Sequence, residues 1–365
     1  MSNHHPNSSS IILKTFKFNP NLLKQIDLLV HSLENFPLIQ KSSHQNQPQS
    51  NQKTSNLQNL SSNQIDQLQI NEIENLLNQL NQSQNHHDLQ DPHHQNIHNI
   101  QNLKIQKFIR SRIFNVPLVN PNTSNAFISI KSWIMLEHIY LNQPCPFPTL
   151  ARGLFTHQSP QSNLQLGLGK YKILTRGYDK FFNINEINST KWENLEKNTL
   201  PPYHLTLKTN GCIIFISAID SSNLLITSKH ATIESSPYDL DQPQTHSLIA
   251  QRWLDRHLNS VSLTRPQLAQ ELWHANATAI AELTDDEFEE HVIQTPSNQI
   301  GLNLHGINLN IPQFTTYPPS VVAQCAKRWG FHQTPYITLN SLNQVKDHCS
   351  QIQLDGWPNL HTPIE

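Results

Sequence analysis

The sequence predicts an α+β fold, on three observations. Extended, β-prone runs recur over residues 104–118, 126–140, 205–207, 212–216, 224–227, 277–283 and 302–309. Helical patterns stand between and around them, at 22–33, 246–258, a segment opened by Thr264, 318–329 and 342–352. The connections read as hairpins rather than regular strand–helix–strand repeats, which favours antiparallel sheets flanked by helices.

Each element has a local cause. After a short extended piece at 11–18, Leu22, Leu23, Ile26, Leu29, Val30 and Leu33 recur at i, i+3, i+4 and i+7, one apolar stripe of a helix. From residue 40 to 102 the composition collapses into Asn, Gln, Ser and His. That stretch cannot bury a core, so it reads as a disordered insertion with only a transient helix at 63–81. Its histidines, His86, His87, His93, His94 and His98, belong to the compositional bias. Ordered sequence resumes near Leu103, giving three parts: an N-terminal segment at 1–39, the insertion at 40–102 and the domain body at 103–365.

Within that body, the residues around Ser132, Trp133, Met135, Glu137 and Tyr140 mix apolar and charged side chains without a clean period. Pro144, Pro146 and Pro148 then stiffen the approach to Leu150-Ala-Arg-Gly-Leu-Phe155. The glycine after Arg152 lets the backbone turn close to whatever that arginine contacts. Further on, Thr264 followed by Pro266 reads as an N-cap with proline in the first turn, and Gly330 closes the helix before it.

Composition limits the function. A formal net charge of -2 makes no argument for nucleic acid or membrane, so any RNA-binding surface has to be local. The four cysteines are far apart and none has metal-ligand spacing, which suits a reducing compartment. The start carries no basic segment followed by an apolar one, and no apolar run is long enough to span a bilayer. A soluble intracellular protein without a membrane partner is expected.

The chemistry gathers at residues 203–219, YHLTLKTNGCIIFISAI. Two β-prone arms flank Lys208-Thr209-Asn210-Gly211, and Asn-Gly between such arms is a strong hairpin signal. Lys208 is therefore expected at the mouth of a tight turn. A lysine immobilised there, with basic neighbours or partial burial lowering its pKa, can attack phosphorus or a carbonyl. Lys-x-Asn/Asp-Gly is the form this nucleophile takes in enzymes that attach AMP or GMP to themselves. Gly167-Leu-Gly169-Lys170 is a decoy for a phosphate-binding loop: Leu164 stands where a glycine is needed and Tyr171 where Ser or Thr must hold magnesium.

In chain order, Leu150-Ala-Arg-Gly-Leu-Phe, Arg176-Gly-Tyr-Asp-Lys-Phe-Phe-Asn, Lys208-Thr-Asn-Gly, Thr227-Ser-Lys-His, Ala281-Glu-Leu-Thr-Asp-Asp-Glu-Phe-Glu-Glu-His and Gly301-Leu-Asn-Leu-His-Gly-Ile-Asn form an ordered set. Over residues 104–365 this set resembles the ligase (adenylyltransferase) domain of fungal tRNA ligases, among the bacteriophage-type ATP-dependent RNA ligases. The resemblance implies a nucleotidyltransferase (covalent ligase) fold and a three-step reaction. A lysine takes AMP from ATP, passes it to an RNA 5'-phosphate, and a 3'-hydroxyl displaces AMP to seal the strand.

Carried onto this sequence, the resemblance implies Lys208 as the nucleophile and Gly211 as part of its nucleotide-binding motif. Arg152, Lys180 and Lys229 match phosphate-handling cations. Phe182 would pack beside the nucleotide or, equally, in the core. Glu282 would contact the ribose or a metal-bound water, with Glu289 and Glu290 as alternatives, while Asp285, Asp286 and Glu287 suit a solvated acidic helix start. ATP and Mg2+ are the implied cofactors and tRNA exon halves or other RNA ends the partners, for a monomer of the nucleus or cytoplasm. In the family, Glu-Gly-Phe-Val and then a strand with paired lysines follow this region, whereas the present sequence stops at Thr362-Pro-Ile-Glu365. Neither the polynucleotide kinase nor the cyclic phosphodiesterase domain of full-length fungal enzymes is present. Impaired catalysis is therefore expected of the chain as it stands, and a non-catalytic RNA-binding protein with the ligase fold is the alternative.

Overall fold

The structure, a computed structural model, describes residues 12–36, 38–41, 104–118, 126–142, 145–160, 169–234, 244–288 and 294–355. Most of the insertion expected at 40–102 lies outside these, as do the transient helix at 63–81, Glu289, Glu290 and residues 356–365. The chain divides into two units, residues 37–108 and residues 1–36 with 109–365. In the smaller unit β1 (Leu38–Lys41) and β2 (Lys104–Lys107) pair antiparallel, Leu38 opposite Lys107. The larger unit holds the remaining elements.

Its first helix, α1 (Pro20–Glu34), starts where the Asn19 side chain accepts a hydrogen bond from the Leu22 amide at 2.9 Å. Ile26, Leu29, Val30 and Leu33 are its buried residues, as the periodicity required. Next, β3 (Ile109–Leu118), β4 (Ala126–Met135), β5 (Leu154–Gln158) and β6 (Tyr171–Arg176) make a four-stranded antiparallel meander. Asp27 ties α1 to the start of β6 by accepting from the amides of Lys170 (3.0 Å) and Tyr171 (2.9 Å). The strand expected to reach residue 140 stops at Met135, and Glu137–Leu141 winds into a 3-10 turn. Adjacent Ile139 and Tyr140 are both buried, which a strand with alternating faces cannot provide on one side.

After α2 (Trp192–Asn198) come β7 (Tyr203–Thr206), β8 (Cys212–Ala218) and β9 (Leu224–Thr227). The helices α3 (His246–Ser260) and α4 (Arg265–Ala275) lead to β10 (Ala277–Thr284) and β11 (Gly301–Leu309). The described chain ends with α5 (Pro319–Trp329), β12 (His332–Gln333), β13 (Tyr336–Leu339) and α6 (Leu342–Asp355). A five-stranded sheet runs β12-β11-β10-β8-β9, antiparallel except for β11 with β12, and β7 pairs with β13 in a separate ribbon. Local signals set the helix ends: Thr264 and Gln267 form a capping box, and Gly330 closes α5 at φ 74°.

The hairpin expected at Asn210-Gly211 does not form. β8 has β10 on one edge and β9 on the other, so no edge remains for β7, whose partner is β13 with Thr206 opposite Tyr336. Neither Asn210 nor Gly211 takes the positive φ that a two-residue hairpin turn requires. The acidic helix start expected at Asp285–Glu287 is a turn instead. Asp285 accepts from Trp253 Nε1 at 2.7 Å and from the Glu287 and Phe288 amides at 3.2 Å.

Parity along β8 separates core from site. Ile214, Ile216 and Ala218 enter the main core with Leu254, Leu268, Val322 and Trp329 of the three covering helices. Ile213, Phe215 and Ser217 face the other way, and Ser217 Oγ lies 2.8 Å from Thr175 Oγ1 of β6. A second cluster of Phe114, Ile130, Phe155, Leu174 and Leu225 joins the meander to the larger sheet. Among the described residues no helix is long and apolar enough to cross a membrane.

His257 of α3 is locked between two backbone groups, Nδ1 at 2.7 Å from Gly330 O and Nε2 accepting from the Leu302 amide at 3.0 Å. An acceptor Nε2 requires the neutral ring, and burial lowers its pKa to about 4. His230 is likewise lowered to about 4, by burial first and then by Lys229 and Arg152. The unfolded chain then binds protons at these two sites that the folded chain refuses, so stability is full above about pH 6.5 and falls as pH drops toward about 4. The urea midpoint should be lower at pH 5 than at pH 7.5. Equal midpoints would contradict the neutral assignment.

Candidate active site

Lys208 is exposed, on the loop that carries the chain from the β7–β13 ribbon to the central sheet. Gly211 explains why that loop lies where it does. A Cβ on this glycine would stand 2.2 Å from Leu283 O and 3.1 Å from Glu282 Cγ, so only glycine lets the loop press against β10. Lys208 and Glu282 thereby line the same cavity, of about 830 Å³.

The cavity has an aromatic wall. Tyr178 stacks on His305 with ring centres 5.6 Å apart and planes at 17°, and it also meets Phe181 at 4.9 Å and Phe314 at 6.1 Å. All four line the cavity, together with Ile213 from the site-facing side of β8. The Tyr178 hydroxyl donates to His305 O at 3.0 Å, and a Cβ on Gly306 would fall 1.8 Å from it. Burial raises the Tyr178 pKa well above the ordinary tyrosine range, so this hydroxyl stays a neutral donor.

A β-bulge aims His305. Ile280 is opposite Gly306 while Ala281 is opposite Leu304, which leaves His305 as the extra residue of β11. Its Nε2 lies 3.7 Å from Glu282 Oε2. Glu282 is the one position of β10 that is not fully buried, and its side chain is 15% exposed.

Arg152, Lys180 and Lys229 are not among the residues lining this cavity, and they fall into two groups. The Arg152 amide donates to Tyr178 O at 2.8 Å and the Lys180 amide to Leu150 O at 2.9 Å, so the 150–152 segment is zipped to the 178–180 segment. Arg152 and Lys229 converge on one carboxylate, that of Glu137. Hydrogen bonding from Lys229, then the charges of Arg152 and Lys229, hold Glu137 down to about 2 against the opposing effect of burial. Lys180 turns to its own loop, with Nζ 2.6 Å from Phe181 O and 4.8 Å from the centre of the Phe182 ring. Phe181, 65% exposed, lines the cavity, and Phe182 does not. Sequence reasoning assigned no role to Glu137, Tyr178, Phe181 or His305. The last three sit inside the quoted segments, so their neighbourhood was visible and their orientation was not.

The sequence model described as RNA ligase matches residues 150–361, more than half of the chain. The chain belongs to the RNA ligase family. All seven named site residues, Arg152, Lys180, Phe182, Lys208, Gly211, Lys229 and Glu282, fall inside the matched span, whereas Glu137 precedes it. Among curated relatives of this family, tRNA ligase 1 of Schizosaccharomyces pombe is 42% identical over 215 residues, covering 58% of this chain and 26% of that protein. A tRNA ligase of Candida albicans is 38% identical over 234 residues, covering 61% of this chain and 27% of its own length. The chain thus spans about a quarter of the relatives it matches. Among solved structures, an archaeal ATP-dependent RNA ligase aligns over 68% of this chain and 56% of its own at 10% identity, with a TM-score of 0.38.

Proposed function

We propose that this RNA ligase family chain is an ATP-dependent RNA ligase domain of the fungal tRNA ligase kind, joining tRNA exon halves or other RNA ends through adenylate carried on Lys208. The observation that carries the reading is the shared cavity: an exposed lysine and a half-buried carboxylate beside an aromatic wall. Its volume, about 830 Å³, is that of a small-molecule site. The Lys208 nitrogen attacks the α-phosphorus of ATP: a P–N bond forms, the bond from that phosphorus to the bridging oxygen breaks, pyrophosphate leaves, and the nitrogen gives up its proton to solvent. An RNA 5'-phosphate oxygen then takes the adenylyl group, and a 3'-hydroxyl displaces AMP as the strand is sealed.

Charge stabilisation dominates such transfers, so cations held in place before the reaction are the main requirement. Arg152 and Lys229 fill that role as a pair, and Lys180 is a third. Tyr178 and Phe181 offer faces on which a nucleobase stacks. Magnesium, as the metal that accompanies ATP, neutralises the leaving pyrophosphate when bound. Among the described residues no three His, Cys, Asp or Glu side chains gather into a metal cage. A metal held chiefly by phosphate oxygens and water needs one or two carboxylates, and Glu282 suits that demand.

Incubation with radiolabelled ATP and magnesium tests the proposal. Covalent label should appear on the chain, and Lys208→Ala should abolish it. Label that persists in Lys208→Ala would refute the assignment.

A further inference from the structure

Arg152 and Lys229 come from segments 77 positions apart, yet both end on the carboxylate of Glu137, 15 residues before the first and 92 before the second. The element that presents Glu137 is built for this. In the 3-10 turn Glu137–Leu141, side chains at i and i+3 eclipse, so Glu137 and Tyr140 share a face. Tyr140 is buried and its hydroxyl donates to Ala151 O at 3.3 Å, one residue before Arg152. Ile139, 2% exposed, anchors the turn in the core. One turn therefore fixes the backbone beside Arg152 and, from the same face, supplies the carboxylate that its guanidinium grips.

The donors left over point to an anion. Of Arg152, only Nη2 is engaged by Glu137, and the side chain is 30% exposed; the Lys229 side chain is 32% exposed. Among the described side chains, neither cation has another hydrogen-bond acceptor. Two cations this close repel unless a negative group lies between them, and one carboxylate leaves the trio with a net charge of about +1. His230 beside them is held neutral by burial, and its Nδ1 has no hydrogen-bond partner among the described residues.

We propose that Glu137 is a positioning residue that holds Arg152 and Lys229 side by side as a clamp for phosphate oxygens of the nucleotide. The inference rests on the reading of the chain as a nucleotide-dependent ligase, but its test needs no covalent step. The probes are ATP, inorganic tripolyphosphate and adenosine, with affinities measured by calorimetry on the chain and on Glu137→Ala and Glu137→Gln. Loss of the clamp should weaken tripolyphosphate and ATP about tenfold or more in Glu137→Ala, as expected for displaced charge-assisted hydrogen bonds, and leave adenosine within about twofold. Glu137→Gln keeps an acceptor for both cations and should recover part of the loss. The Glu137 side chain is 58% exposed, so the melting temperature of each variant should stay near that of the parent chain.

Tripolyphosphate binding that is unchanged or tighter in Glu137→Ala would overturn the proposal, because the carboxylate would then be idle or a competitor of phosphate. Equal weakening of adenosine and tripolyphosphate would also overturn it, since general loosening rather than a phosphate clamp would be at work. Absence of label on Lys208 in the parent chain bears on the ligase reading alone and leaves these affinities interpretable.

Discussion

Replacing Arg176 by alanine is expected to destabilise the larger unit by about 3–5 kcal/mol, the cost of removing one member of a buried charged network. The residue is 1% exposed. Its Nη2 donates to Asp179 Oδ1 at 2.7 Å and to Pro312 O at 3.3 Å, its Nη1 to Gly177 O at 2.9 Å and its Nε to Ile311 O at 3.1 Å. The guanidinium also lies 5.1 Å from the centre of the Phe314 ring, part of the cavity wall. Alanine would strip the donor from one buried carbonyl, that of Gly177, and from the half-buried carbonyls of Ile311 and Pro312, and would leave Asp179 without its cation. Lysine offers a point charge instead of a planar fork, so Arg176→Lys should recover little. Urea unfolding measures both variants, and a loss below about 1 kcal/mol for alanine would show that the network is dispensable.

Gly177→Ala should have the next largest effect and should reach further into function. A Cβ there would stand 1.9 Å from Arg152 O and 2.8 Å from the Phe215 ring. The Gly177 amide also donates to Gly153 O at 2.7 Å, so the two backbones cannot separate without breaking that bond. The φ of Gly177 is not in the left-handed region, and the penalty comes from space alone. Stability should fall by about 1–3 kcal/mol, as for an overpacked core. Because the displaced atom belongs to Arg152, nucleotide labelling should fall about tenfold to a hundredfold at temperatures where the variant is still folded. A variant with parental labelling would mean that Arg152 does not need its present position.

How much of this was legible in the sequence follows from the range of each interaction. The stripe of α1, the Thr264 cap and the Gly330 stop are local, and the sequence states them outright. The partner of β7 is not local: Leu205 pairs with Ile337, and nothing around Asn210-Gly211 announces that strand. The same glycine was read as a turn former when its use is close approach to Leu283. The bulge at His305 did leave a trace. Leu302 and Leu304 occupy one parity and Ile307 and Leu309 the other, a change of phase that one inserted residue produces.

For the site, residue types carried more than spacing did. Lys208 and Glu282 were named from the motifs, and the structure brings both to one cavity. Which of the adjacent Phe181 and Phe182 faces that cavity depends on backbone direction, which two neighbouring phenylalanines do not reveal. Glu137 had no signal at all. Its partners are an arginine and a lysine from two later segments, and an aperiodic stretch with one acid looks like any surface turn.

The most direct measurement is peptide mass spectrometry of the chain after exposure to ATP and magnesium. One adenylate on the peptide that contains Lys208, absent from Lys208→Ala, is the predicted result. Adenylate on a different lysine would contradict the account.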